Sequence, residues 1–154
     1  MASKRLVVRL PADDGSTFDL AEHHGSFVVL FFFPKAGSPG CTESACEFRD
    51  LMPRFARVGA EVAGVSPDSV RKLANFRNKL GLPYRLLSDP DAAVIRRFKL
   101  WVPKQLFGHR YMGVDRASVV IGPDGRVAAT IKAPVIAGHA DAVLLAVRDL
   151  RALA

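Results

Sequence analysis

The sequence predicts an α/β fold: a central mixed β-sheet flanked by helices, preceded by an N-terminal β-hairpin extension. Three observations carry this. The run Phe27-Val28-Val29-Leu30-Phe31-Phe32-Phe33 is apolar on both faces, as a strand covered on both sides must be. Strand-like runs then alternate with segments of helical period, the pattern of strand–helix–strand units. Near the end, Gly122-Pro123-Asp124-Gly125 marks a tight turn between two apolar runs, hence an antiparallel return.

In chain order, Leu6 to Leu10 and Thr17 to Leu20 flank the turn-rich Pro11-Ala12-Asp13-Asp14-Gly15 and form the hairpin. After the Phe27–Phe33 strand, a helix starts at Ser38 and carries Ala45, Phe48, Leu51, Met52, Phe55 and Val58 at helical spacing. Pro53 interrupts that pattern and is expected to kink or divide the helix. Glu61 to Val65 is the next strand. Ser66-Pro67 then repeats the cap-plus-proline start, with Val70, Leu73, Phe76 and Leu80 as the apolar stripe before Gly81. Tyr84 to Leu87 is a third strand, and Asp89-Pro90 opens a short helix through Phe98. Residues 99 to 115, with Pro103, Gly108 and Gly113, read as irregular; Phe107 and Tyr111 there serve either a substrate approach or the core. Ala117 to Ile121 and Val127 to Ile131 are the closing antiparallel pair. The last helix begins near His139 and buries Val143, Leu144, Val147 and Leu150.

A chain of 154 residues fits one domain, taken as 1–154, with no repeat or linker. A hydrophobic share of 49% with 24% charged residues belongs to a globular rather than a disordered chain. The longest apolar run is far too short to span a bilayer, and no export signal is recognisable, so no membrane association and a cytoplasmic location are expected. With only two cysteines, reactive or buried thiols are a better reading than a disulfide framework. The net charge of +7 gathers between Arg71 and Arg110, where Asp89 and Asp91 are the only acids. Such a side is either merely solvated or steers an acidic partner or anionic substrate. No nucleic-acid-binding motif accompanies it, so no nucleic-acid partner is expected. The four histidines are scattered and the cysteine spacing fits no usual zinc site, so neither a metal nor a cofactor is expected.

The chemistry gathers at the strand–loop–helix passage Pro34-Lys35-Ala36-Gly37-Ser38-Pro39-Gly40-Cys41. Ser38 is a good N-cap and Pro39 suits the first helical position, which puts Cys41 in the first turn. Backbone N–H groups there lack helical partners, and the helix dipole's positive end lies there. Thiols in such places ionise more readily than free ones, and the thiolate is the reactive form. Easier ionisation alone gives a thiol only about thirtyfold at neutral pH, so fast chemistry also needs donors aimed at the departing group.

Pro34, Ser38 and Cys41 at this spacing resemble the active-site signature of the peroxiredoxins. The longer run through Ala45-Cys46 to Phe48-Arg49-Asp50 is similar to their bacterioferritin-comigratory, or PrxQ, branch, as are Gly64-Val65-Ser66, Leu87-Ser88-Asp89-Pro90, Tyr111-Met112-Gly113 with Arg116, and Gly138-His139. The resemblance implies a thioredoxin-like fold and a peroxidase that reduces hydrogen peroxide and organic hydroperoxides. It implies Cys41 as the peroxidatic cysteine, which becomes a sulfenic acid, and Cys46 as the resolving cysteine, which closes an intrachain disulfide. Ser38 and Arg116, with the Cys41 N–H, would stabilise the transition state, and Pro34 would shield the site. The family usually has threonine where this chain has Ser38, so the hydroxyl is kept and a rotamer-fixing methyl is lost. The resemblance further implies recycling by thioredoxin or a glutaredoxin-like dithiol protein, and a monomer. Five residues apart on an intact helix, the two cysteine Cα atoms lie about 8–9 Å apart on faces about 140° apart. A disulfide needs about 7 Å or less, so residues 40 to 50 must unwind in each cycle. The same cysteine could instead serve a peroxide sensor or thiol-dependent holdase. A disulfide oxidoreductase is disfavoured, because Ser44 stands where its second cysteine belongs.

Overall fold

The computed structural model describes residues 5–153. β1 (Arg9–Pro11) pairs antiparallel with β2 (Thr17–Asp19) as the expected hairpin. The ladder is short because the Asp19 carboxylate accepts the Ala21 N–H and starts a 3-10 turn over Leu20–His23. β3 (Phe27–Phe32) follows with all six residues buried. α1 (Pro39–Arg57) leads to β4 (Ala60–Ser66), and α2 (Val70–Leu80) leads to β5 (Leu86–Ser88). These three strands lie parallel, which the intervening helices make possible. After α3 (Ala93–Arg97) and the pair β6 (Trp101–Leu106) and β7 (His109–Val114), β8 (Ala117–Ile121) returns antiparallel beside β3. β9 (Val127–Lys132) pairs with β8, and α4 (His139–Leu153) ends the chain. The spatial order β5-β4-β3-β8-β9 is the expected mixed sheet.

Strand alternation divides the core into two layers. Val29, Phe31 and Phe33 face Cys41, Ala45, Phe48 and Phe55 of α1, Leu73 and Phe76 of α2, and Val143 and Val147 of α4. Val28, Leu30 and Phe32 face the other way, onto Leu10, Phe18, Leu20, Ile95 and Leu100. The Phe31 and Phe48 rings stack at 4.5 Å, which seats the middle of α1 on the central strand.

Several local expectations are corrected. Of the two outcomes expected at Pro53, division does not occur: α1 continues through it, and Pro53 faces solvent, where the carbonyl left without its donor can be hydrated. Ser69, not Ser66, caps α2, with its Oγ accepting the Lys72 N–H. Ser66 is instead the last residue of β4, held by pairing with Ser88. α3 is only five residues long and has no side-chain cap; the Asp89 carboxylate reaches past its start to accept the Ile95 N–H at 2.8 Å. The third parallel strand begins at Leu86 rather than Tyr84. Much of residues 99 to 115 is not irregular but a two-stranded hairpin paired from Trp101↔Val114 to Leu106↔His109.

Candidate active site

The loop after β3 delivers Cys41 to the first turn of α1. Ser38 is extended (φ −67°, ψ 152°) and its Oγ accepts the Cys41 N–H at 3.3 Å, with Pro39 in the first turn. The cap uses one lone pair of the hydroxyl and leaves its proton free to donate. The loop is also tied to the end of β4. Asp68 accepts the Ala36 N–H at 2.7 Å and the Ser66 hydroxyl at 2.9 Å. Pro34 heads this loop and is half-buried.

Arg116 arrives from the start of β8, the strand beside β3. Pairing of Phe32 with Ala117 sets the end of β3 against the start of β8. The Arg116 carbonyl accepts the Ala133 N–H at 3.0 Å, and the preceding Asp115 N–H donates to the Leu100 carbonyl at 2.7 Å. Asp115 also pairs with Lys132. From this fixed backbone the Arg116 guanidinium Nη2 donates to the Cys41 Sγ at 3.2 Å. Cys41 is fully buried, so this contact is made out of bulk water, where a charged donor acts with little screening. Gly40 makes room for it: a Cβ there would lie 2.9 Å from both Arg116 Nη2 and Ile136 Cδ1.

Lys104 of β6 is the next cation. Its stem lies over Gly113, where a Cβ would sit 3.1 Å from Lys104 Cδ. Its amine is held below the usual lysine range, first by burial and then by the positive Arg116, while Asp115 and Cys41 act in the opposite sense. Lys104 therefore belongs to the electrostatic surroundings of the Arg116–Cys41 pair.

Cys46 lies farther along α1, half-buried, and both cysteines are free thiols. α1 is continuous between them, so the separation expected for an intact helix applies. Several bonds hold this part of α1. The buried Tyr84 hydroxyl donates to the Ala45 carbonyl at 2.6 Å. Burial pushes the Tyr84 phenol well above its ordinary range, and the nearby Cys46 and Asp50 push the same way against Arg49. Arg49 Nη1 donates to the Leu80 carbonyl at 2.8 Å. The Glu47 carboxylate accepts the Gly138 and Ala140 N–H groups at the start of α4. Beside them His139 is buried, with Nε2 2.8 Å from Ser118 Oγ and its ring edge-on to Phe48.

The structure thus brings Cys41, Ser38 and Arg116 into one contact chain, places Pro34 on the loop leading into it, and leaves Cys46 on the same helix out of bonding reach. Sequence reasoning missed Gly40, Asp68, Tyr84 and Lys104. Only the Ser66-Pro67-Asp68 turn carried a local signal, and it was read as a helix start. Phe107 and Tyr111 are not core residues, being 93% and 47% exposed.

The profile of the AhpC/TSA family matches residues 6–130. The chain is 36% identical over 143 residues to peroxiredoxin Bcp of Bacillus subtilis, covering 93% of this chain and 91% of that one. It is 38% identical over 135 residues to peroxiredoxin Bcp of Escherichia coli, covering 88% and 86%. Among solved structures, the Xanthomonas campestris bacterioferritin comigratory protein, studied for alkyl peroxide reduction, superposes with a TM-score of 0.88 at 35% identity, covering 94% of this chain and 92% of that one.

Proposed function

The chain belongs to the AhpC/TSA family and is a thiol peroxidase of its Bcp (PrxQ) branch with a thioredoxin-like fold, and we propose that Cys41 is its peroxidatic cysteine and Cys46 its resolving cysteine. The observation that carries this reading is the 3.2 Å hydrogen bond from Arg116 to a buried sulfur in the first turn of a helix.

The Cys41 thiolate attacks one oxygen of a peroxide ROOH as the O–O bond breaks. The S–O bond that forms leaves a sulfenic acid, and the departing RO⁻ takes a proton to become water or an alcohol. Arg116 reaches the sulfur and can follow the charge as it moves onto oxygen. The Ser38 hydroxyl, its proton unused by the cap, is the second donor. The Cys41 N–H already donates to Ser38 Oγ, so it contributes to the cap first and to the oxygen only if that long bond yields. Pro34 stiffens the loop. Cys46 then attacks the Cys41 sulfenic acid, forming the disulfide and releasing water, after α1 unwinds around residues 40 to 50. A dithiol protein, thioredoxin or a glutaredoxin-like protein, returns two electrons. Hydrogen peroxide and organic hydroperoxides are the substrates, the latter supported by the alkyl peroxide reduction studied in the Xanthomonas campestris relative. We place this activity in a cytoplasmic monomer acting as one domain over residues 1–154. Among the described residues no helix is long and apolar enough to cross a membrane.

The test is single-turnover oxidation of reduced protein by hydrogen peroxide, followed by thiol count and intact mass. Wild type is expected to lose two thiols rapidly, Cys46→Ser to stop at the sulfenic acid, and Cys41→Ser to remain inert. If Cys41 reacts no faster than a free thiol, the reading fails. Sustained peroxide consumption with a recycling dithiol separates the enzyme from a peroxide sensor or holdase.

A further inference from the structure

The β6–β7 hairpin is a two-stranded sheet of its own, paired with no other strand among the described residues. Its base packs on the core through Trp101 and Val114. Its outer half does not pack: Leu106 is 56% exposed, Phe107 93%, Tyr111 47% and Met112 46%, which makes half of the exposed large hydrophobic residues among those described. Phe107 (φ 50°) and Gly108 (φ 79°) form the two-residue connection, both in the left-handed region. Hairpin turns of this kind favour Asn-Gly or Asp-Gly, and a bulky aromatic residue at positive φ is an outlier. The fold gains nothing in return, because Phe107 buries almost no surface. An aromatic residue that is both conformationally strained and exposed at a projecting tip is suited to burial in a partner.

The surrounding charge indicates what partner. From Ala92 to Val114 there are five Lys or Arg residues and His109, and no acid. His109 and Arg110 are exposed beside Phe107. Val114, the last residue of β7, lies two residues before Arg116, so the base of the hairpin adjoins the Arg116–Cys41 pair, and Lys104 of β6 adds a positive charge beside it. Phe107 lies three residues beyond Lys104, about 10 Å along an extended strand. A protein that docks on the tip is therefore held against the hairpin whose base adjoins the Cys41 site.

We propose that the tip of the β6–β7 hairpin, Leu106-Phe107 with Arg110 and Tyr111, is the docking surface for the reducing protein. That partner is an acidic dithiol protein with an apolar rim around its reactive cysteine. The inference rests on the peroxidase reading above. The reductant is the one macromolecule that must reach this site in every cycle. Its thiolate attacks one sulfur of the Cys41–Cys46 disulfide and releases the other as a thiol. Its second cysteine then breaks the mixed disulfide, so two electrons and two protons restore both thiols and the partner leaves oxidised. Phe107 anchors the encounter, and the basic residues steer it.

The test compares wild type, Phe107→Asn and Arg110→Glu. Phe107→Asn supplies a residue the turn prefers, so it is expected to fold at least as well as wild type. Peroxide turnover is driven once by thioredoxin with its reductase and NADPH, once by glutaredoxin with glutathione, and once by dithiothreitol. For whichever protein reductant serves wild type, kcat/KM is expected to fall at least tenfold in Phe107→Asn. In Arg110→Glu it should fall with a weakened salt dependence. Single-turnover oxidation by hydrogen peroxide and dithiothreitol turnover should stay within twofold. Unchanged kcat/KM with the protein reductant overturns the proposal. So does an equal loss with dithiothreitol, or a wild type served by dithiothreitol but by neither protein. A self-association in wild type that Phe107→Asn abolishes would assign the tip to a second copy instead. Failure of wild type to consume peroxide even with dithiothreitol would strike the peroxidase reading itself.

Discussion

The Tyr84 hydroxyl donates to the Ala45 carbonyl at 2.6 Å, in the middle of the helical segment that must unwind before Cys41 and Cys46 can join. That bond is buried and latches α1 to the segment entering β5. Removing it in Tyr84→Phe should lower stability by about 1 kcal/mol while leaving the ring packing in place. The same amount favours the unwound segment, so disulfide closure after sulfenic acid formation should speed up by about fivefold. Stopped-flow fluorescence or quenched mass analysis checks this. Cys41 should also overoxidise less at high peroxide, since closure competes with a second oxidation. Slower closure would mean that Tyr84 assists the oxidised form rather than restraining it.

Gly40 is there for clearance, not for turn geometry. Gly40→Ala improves helix propensity, yet its Cβ would meet the Arg116 guanidinium at 2.9 Å and Ile136 at the same distance. The expected result is a helix no less stable by thermal melting, with a rate constant toward hydrogen peroxide reduced by about a hundredfold as one donor leaves the sulfur.

Ser38 has two functions that different substitutions separate. Ser38→Ala removes the cap and should cost about 1 kcal/mol of stability together with the hydroxyl's share of the peroxide rate. Ser38→Thr keeps the hydroxyl and adds the β-methyl, so it should retain the cap and react at least as fast as wild type. Peroxide kinetics alongside urea denaturation distinguish these outcomes.

His139 gives the fold a specific acid sensitivity. Burial holds its imidazole below the ordinary value of 6.5, with Glu47 opposing, while Ser118 Oγ and the Phe48 ring occupy its other sides. The unfolded chain takes up this proton more readily than the native one. The contribution is therefore fully present above the unfolded value and is lost as pH falls from there through the folded value. Urea denaturation at a series of pH values between about 7 and about 5 should show falling stability in wild type and a flatter profile in His139→Gln.

Much of this architecture was legible in the residues. The doubly apolar Phe27–Phe33 run could only be a covered strand, and Ser38-Pro39 before a helical stripe placed Cys41 in a first turn. The β6–β7 hairpin was not legible because most of it is exposed on both faces, so its strands lack the alternation that burial imposes, and Pro103 and two glycines suggested irregularity. Ser66 and Ser69 compete for the same cap, and the pairing of β4 with β5, a tertiary contact, decides between them. Gly40 and Tyr84 were silent because each acts on a residue 39 to 76 positions away, and Asp68 showed only its local turn with Ser66, not its bond to Ala36, 32 positions away. Arg116 is the contrast: no local feature distinguishes it from the other arginines, and only its resemblance to a family position marks it in the sequence.

We propose that Arg116, brought to Cys41 by the pairing of β3 with β8, makes that thiol a peroxide-reducing centre. The most direct test is the second-order rate constant for hydrogen peroxide with reduced wild type and Arg116→Met, measured by stopped flow. Methionine preserves much of the side-chain bulk but removes the charge and every donor. The expected result is a loss of about a hundredfold or more with an unchanged far-UV circular dichroism spectrum. A folded Arg116→Met protein that reacts within about twofold of wild type would contradict it, because the 3.2 Å contact would then be packing rather than chemistry.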